Sequence, residues 1–212
     1  MGRPRILLAD DHTLLAHAFR KLLEPEFEVV GTAADGRKLL VMALELKPDL
    51  VLVDLGMPLL NGIDAGRELK KLLPETKLLV VTMNEDTAVA AEAIREWASG
   101  YLLKKSAGEE LVVAIRSLLK GQSYVTPTVA QHIVEEFVRE PEVHFRQSLT
   151  RRQREVLQLL AEGRTMKEAA NILKLTIRTI AFHKYKIMKE FGLQNNSDLL
   201  KLAIREHLIP PA

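Results

Sequence analysis

Asp10, Asp11, Asp54, Thr82 and Lys104 are the residues of the first half whose types and spacing allow chemistry. Each comes just after a short apolar run: RILLA before the paired aspartates, LVLV before Asp54, LLVV before Thr82 and YLL before Lys104. Taken alone, an aspartate after a strand reads most simply as a helix N-cap. The set reads differently, because ligands of open α/β sheets bind outside the carboxyl ends of the strands. Three carboxylates converging there repel one another unless they are neutralised. A hard divalent cation does this, and Mg²⁺ typically takes one or two carboxylates, keeps several waters and accepts phosphate oxygens. A carboxylate is also a nucleophile toward phosphorus, forming an aspartyl phosphate. Such a transfer depends on positioning and charge stabilisation, which the metal, the Lys104 ammonium and the Thr82 hydroxyl can supply. The five residues therefore point to a site that binds Mg²⁺ and accepts a phosphoryl group.

Such a site needs a parallel sheet to hold it. Strand patterns fall at Arg5–Ala9, Glu28–Thr32, Leu50–Val53, Lys77–Val81 and Tyr101–Leu103, as near-continuous apolar runs suited to a sheet covered on both faces. Helical periodicity occupies 13–23, 36–46, 62–73, 86–97 and 108–120 between and after them. This alternation predicts a doubly wound α/β domain with a five-stranded parallel sheet over residues 1–120. Residues 121–148 read as a linker with one short helix, Thr128–Val138, and a proline-bearing charged stretch, REPEVHFRQS, at 139–148.

From Leu149 to the end at Ala212 strand patterns disappear and four short helices are predicted. Thr150-Arg-Arg-Gln153 and Thr165-Met-Lys-Glu168 are capping boxes, and Thr176 is a suitable N-cap. Gly163 and Gly192 fall where helices need left-handed C-terminal residues. The helices on either side of Lys174-Leu-Thr176 form a helix-turn-helix pattern, whose second helix enters the DNA major groove. At about 100° per residue, residues 177–191 place Ile180, Ile187 and Phe191 on a core face with His183 at its margin. Arg178, Ala181, Phe182, Tyr185, Lys186 and Lys189 share the opposite face. Its cations suit phosphates or base edges, and its aromatics suit thymine methyl groups. Lys184 lies nearer the core, with a stem for apolar surface and a charge free to reach a phosphate. His183 reads as a packed structural histidine rather than a ligand.

Charge follows the same division. The net charge of the chain is +2, yet residues 149–212 alone carry +6, from 12 Lys/Arg against 6 Asp/Glu. A basic segment behind a mildly acidic body suggests nucleic acid as its partner, and the helix-turn-helix pattern makes double-stranded DNA the expected one. The absence of cysteine excludes disulfide scaffolds, cysteine–zinc sites and thiol nucleophiles. The apolar run near the N-terminus, four residues before two aspartates, is too short for a signal peptide or a membrane span, so a cytoplasmic protein is expected, with no membrane partner.

Asp10-Asp11, Asp54-Leu-Gly-Met-Pro58 with Gly62, Val-Val-Thr82 and Gly100-Tyr-Leu-Leu-Lys104 resemble the receiver domain of two-component response regulators, over residues 4–120. The resemblance implies a flavodoxin-like sheet of order 2-1-3-4-5 and a phosphoryl group transferred to Asp54 from a sensor histidine kinase. It implies Mg²⁺ held by Asp10 or Asp11, Asp54 and the backbone carbonyl of Gly56, with Thr82 and Lys104 on the phosphoryl oxygens. Tyr101 would be the switch aromatic, turning inward as Thr82 moves toward phosphate; a plain edge aromatic is the other reading. The chain departs from the family at Arg95-Glu-Trp-Ala-Ser99, where a small-residue stretch with glycine is usual. Trp97 there is either an exposed anchor at a dimer face or a ring packed over the turn.

Residues 149–208 resemble the four-helix output domain of the LuxR/NarL type through Leu149-Thr150, Glu155-Val-Leu157, Gly163, Lys167-Glu168, Ala170, Thr179, His183, Ile187 and Gly192. This implies a recognition helix starting near Thr176, which would set Arg178, Ala181, Phe182, Lys184, Tyr185, Lys186 and Lys189 against DNA. It also implies a fourth helix, about 198–206, that dimerises the active form. Ala169 and Met166 stand where a larger aliphatic and an asparagine are common, and Ala181 offers no hydrogen bond to a base.

Two other functions fit parts of the pattern. A Mg²⁺-dependent phosphohydrolase would need a general acid near Asp54, but Gly56 occupies the expected place two residues on. The expectation is therefore no enzyme of external substrates, only self-phosphorylation and slow self-dephosphorylation. A protein-interaction module that has lost DNA binding conflicts with the retained basic face. Gly56 and Asn84, two residues beyond Asp54 and Thr82, would admit and orient water and so predict a moderately short-lived phosphoform.

Overall fold

The computed structural model describes residues 2–138 and 149–210. The chain divides into two compact units, one built on a sheet and the other all helical.

In the first unit, strands β1 (Arg5–Ala9), β2 (Glu28–Ala33), β3 (Leu50–Val53), β4 (Lys77–Thr82), β5 (Gly100–Leu103) and β6 (Tyr124–Val125) form one sheet of order β2-β1-β3-β4-β5-β6. Every pairing is parallel. Helices α1 (Thr13–Leu23), α2 (Gly36–Leu46), α3 (Gly62–Leu72), α4 (Thr87–Glu96) and α5 (Ala107–Leu119) make the crossovers, and a single 3₁₀ turn, Lys104–Ser106, leads into α5. All four residues of β3 and of β5 are buried, as expected of strands covered on both faces. Side chains alternate across the sheet, and Ile6, Leu8, Leu50, Leu52, Leu79, Val81 and Leu102 share one face with Phe19 and Leu23 of α1 and Leu111, Ile115 and Leu118 of α5.

The expectation of five strands is corrected to six. β6 lies inside the stretch 121–148 read as linker, and is two residues long, too short for a period-2 pattern to register. Pairing in parallel to β5 makes it a strand, with Gly100 opposite Tyr124 and Tyr101 opposite Val125. Thr126 extends the attachment: its N–H donates to the Tyr101 carbonyl at 2.9 Å, and its buried hydroxyl accepts from the Leu103 N–H at 3.1 Å. Helix α6 (Pro127–Val138) follows at once and packs on α4. The proline-bearing stretch 139–148 lies outside the described residues.

Trp97 is packed, not an exposed anchor. It is 3% accessible, and its six-membered ring lies where a Cβ on Gly66 of α3 would stand, 2.3 Å from the nearest ring atom. Its backbone, at φ −153°, ψ −29°, turns the chain out of α4 without any left-handed residue, which explains how the turn dispenses with glycine. Beside it, Arg67 of α3 pairs with Glu92 and, at 2.8 Å, Glu96 of α4.

The second unit holds α7 (Arg151–Ala161), α8 (Met166–Leu173), α9 (Ile177–Glu190) and α10 (Asn196–Arg205). Both capping boxes form, with Thr150 accepting from Gln153 N–H and Thr165 from Glu168 N–H, and Thr176 caps α9 through Thr179 N–H. Gly163 and Gly192 take φ +82° and +65°, conformations that a side chain would strain. Val156 and Leu159 of α7, Ala169, Ala170 and Leu173 of α8 and Ile180 of α9 form one cluster. Leu157, Ile187, Leu199, Leu202 and Ala203 form another that binds α7, α9 and α10.

Candidate functional site

The parallel register brings the carboxyl ends of β1, β3, β4 and β5 to one edge, so Asp10, Asp54, Thr82 and Lys104 arrive together from four strands. Asp54 N–H donates to the Ala9 carbonyl at 2.9 Å, tying its loop to the end of β1. Gly62 N–H donates to the Leu55 carbonyl at 3.0 Å, and a Cβ on Gly62 would lie 2.1 Å from the Asp54 carbonyl oxygen. Only glycine lets α3 begin this close to the Asp54 backbone.

Asp10 and Asp54 are 6% and 5% accessible. The Lys104 ammonium lies between them, 2.8 Å from Asp10 Oδ2 and 2.9 Å from Asp54 Oδ2. One cation thus serves two buried carboxylates. Burial raises the Asp54 pKa above its ordinary value, with the Asp10 charge adding to the rise, while Lys104 and the Gly56 backbone N–H work the other way. For Lys104, burial disfavours the charge, but Asp54 and Asp10 outweigh it and the pKa is raised. The pocket is therefore short of positive charge. Asp10, Asp11, His12 and Asp54 each offer one ligand atom, all within 4.8 Å of one another. The donor set and the charge deficit fit a divalent cation.

Around this centre the Thr82 hydroxyl accepts from Asn84 N–H at 3.2 Å, and Asn84 Oδ1 accepts from Asp86 N–H at 2.7 Å. Tyr101 is fully buried rather than an edge aromatic, and its hydroxyl donates to the Asn84 carbonyl at 2.8 Å. Burial, with the charges of Asp86 and Asp54, raises the Tyr101 pKa and keeps it a neutral donor. Two residues were missed in the sequence. His12 belongs to the ligand cluster, a placement that its position beside Asp10-Asp11 foreshadowed. Thr126 fastens β6 to both ends of the segment that carries Tyr101, and no local signal marked it.

In the second unit, Ile180 and Ile187 are buried and Phe191 is half-buried, as the helical wheel requires. Phe182 and Tyr185 are 62% and 61% accessible, and Arg178, Lys186 and Lys189 are exposed on the same helix, with Ala181 half-buried among them. Lys186 lies 3.7 Å from Glu190. Lys184 is half-buried; its ammonium donates to Asn196 Oδ1 at 2.9 Å and sits 6.0 Å from the Tyr185 ring centroid, within cation–π reach. The half-buried His183 ring packs edge-on to Phe182. Burial, then Arg152 and Lys186, lowers the His183 pKa, so the neutral ring is favoured. No helix among the described residues is long and apolar enough to cross a membrane.

Residues 6–116 match the response regulator receiver domain family, and residues 147–203 match the bacterial regulatory proteins of the luxR family. The oxygen regulatory protein NreC of Staphylococcus aureus strain JH9 is 35% identical over 214 residues, spanning 97% of this chain and 99% of NreC. A LuxR-family two-component response regulator from Aurantimonas sp. SI85-9A1 is similar in structure, with TM-score 0.62 and 37% identity over 65% of this chain and 99% of that one. The Salmonella enterica serovar Typhimurium regulator RcsB, solved bound to promoter P1flhDC with the phosphomimetic BeF3−, gives TM-score 0.59 and 28% identity over 94% of this chain and 97% of its own. The chain belongs to the two-component response regulators that join a receiver domain to a LuxR-type helix-turn-helix output domain.

Proposed function

We propose that this regulator takes a phosphoryl group on Asp54 from a sensor histidine kinase and, so switched, binds promoter DNA through α9. The observation that carries the reading is the Lys104 ammonium shared by Asp10 and Asp54 at the carboxyl edge of the sheet, with Asp54 left incompletely neutralised. An Asp54 carboxylate oxygen attacks phosphorus, the P–N bond of the kinase phosphohistidine breaks, and its electron pair stays on the imidazole nitrogen. Lys104 and the Thr82 hydroxyl hold the phosphoryl oxygens. Asp10, Asp11, Asp54 and the Gly56 carbonyl would hold Mg²⁺, which when bound neutralises the charge on the transferring group. Thr82, drawn toward the phosphoryl group, carries the state of Asp54 outward through Asn84, whose N–H it accepts from and whose carbonyl holds the Tyr101 hydroxyl, with Tyr101 already inward before phosphorylation.

The receiver spans 1–120, the stretch 121–148 adds β6 and α6 to it before leading on, and the DNA-binding domain spans 149–212. Arg178, Ala181, Phe182, Lys184, Tyr185, Lys186 and Lys189 face the duplex, and α10 joins two copies in the active form. The chain works in the cytoplasm and turns over no external substrate. Gly56 admits water and Asn84 orients it at the phosphoaspartate, so the phosphoform is moderately short-lived; a lifetime of many hours would contradict this. Incubation with acetyl phosphate and Mg²⁺, followed by intact-mass measurement, tests the site. Wild type is expected to gain one phosphoryl group and Asp54→Ala none; equal labelling of both would overturn the assignment.

A further inference from the structure

His12 stands at the N-cap of α1, where Ser, Thr, Asp or Asn would normally satisfy the first helical N–H groups. It makes no side-chain capping bond. Its ring turns instead toward the acidic pocket, with Nδ1 at 3.1 Å from Asp10 Oδ1 and 3.0 Å from Asp11 Oδ1. Its backbone N–H donates to the same Asp10 oxygen at 2.9 Å, which fixes the loop under the ring. The ring is 67% accessible and can adjust to an incoming ion without disturbing the core. A ring nitrogen within 4.8 Å of three carboxylate ligand atoms changes the chemistry of the set. Oxygen-only sites suit Mg²⁺, whereas imidazole favours ions later in the divalent series, such as Co²⁺.

We propose that His12 is a metal-selectivity residue: its imidazole nitrogen joins Asp10, Asp11 and Asp54 in binding nitrogen-accepting divalent ions, and biases the pocket toward them over Mg²⁺. The proposal rests on the reading of this pocket as a divalent-cation site. It differs from a plain charge partnership, in which a cationic His12 does no more than neutralise Asp10 and Asp11. Removing a charge partner would strengthen every divalent ion alike; removing a ligand weakens Co²⁺ selectively.

Calorimetric titration of the full-length, tag-free protein with CoCl₂ and with MgCl₂ separates these. For His12→Ala, Co²⁺ affinity is expected to fall about tenfold while Mg²⁺ affinity changes less than about twofold. Asp54→Asn, which removes a carboxylate from the same cluster, should also weaken Co²⁺, placing the signal in this pocket rather than at another histidine. Pulsed EPR of the protein loaded with one equivalent of Cu²⁺, an imidazole-favouring ion, adds a direct readout: a nitrogen coupling from a coordinated imidazole in wild type, lost in His12→Ala. Equal changes for Co²⁺ and Mg²⁺, or no nitrogen coupling in wild type, would overturn the role of His12. Failure of wild type to bind either ion would instead overturn the pocket as a metal site, and the proposal with it.

Discussion

At the carboxyl edge of the sheet, Asp10, Asp54, Thr82 and Lys104 come from four strands and are all but removed from solvent. On α9, Arg178, Phe182, Tyr185, Lys186 and Lys189 come from one helix and face water. The first arrangement depends on the whole fold, and the ionisation of Asp54 and of Lys104 is set by each other and by Asp10. The second depends on one helix being capped and packed, and its side chains act nearly independently. A buried, shared charge makes a switch, because changing one group changes the balance of all. An exposed row of cations makes an affinity, because each contributes its own increment.

The difference can be broken at Lys104. Lys104→Met leaves two buried carboxylates without their cation, and phosphoryl uptake from acetyl phosphate is expected to drop about 100-fold or more. Mg²⁺ should stabilise this variant against denaturant more than it stabilises wild type; equal stabilisation would show that the pocket has no charge deficit. Backbone crowding provides the next effect. Gly62→Ala drives a Cβ toward the Asp54 carbonyl and is expected to cost about 3 kcal/mol by denaturant titration. A loss under about 0.5 kcal/mol would mean that the loop relaxes freely.

On α9 the expected changes are smaller and additive. Arg178→Ala and Lys189→Ala should each weaken binding to any duplex severalfold and lower the salt slope by about one, with the double variant near the sum. Strong non-additivity would show that the helix face is a coupled site like the pocket. The smallest effect concerns Asp54 ionisation in Mg²⁺-free solution. Its folded pKa is raised, so ionising it costs the folded state stability at pH values above the ordinary carboxylate range. Asp54→Asn should accordingly be more stable than wild type at neutral pH, with the gap closing as pH falls toward 3.8, the ordinary value of an aspartate carboxyl. A gap that widens on acidification would reverse the sign of the shift.

Much of this was legible in the chain because the relevant signals are local. The five longer strands, the helices between them, both capping boxes and the buried face of α9 follow from periodicity and capping within a few residues of each element. The strand-end positions of the polar residues then foretold the pocket. What escaped reading depends on distant partners. β6 exists only because Tyr124 and Val125 meet β5. Trp97 is buried because Gly66, on another helix, leaves room for its ring. His12 joins the pocket through its loop conformation, φ −82° and ψ 90°, which residue type does not dictate.

In the proposed function, chemistry in the pocket controls the helix. A gel-shift titration of wild type and Asp54→Ala against promoter DNA, with and without acetyl phosphate and Mg²⁺, tests it most directly. The donor should tighten binding by wild type and leave Asp54→Ala unchanged. Equal binding by both proteins, whether or not the donor is present, would contradict the switch.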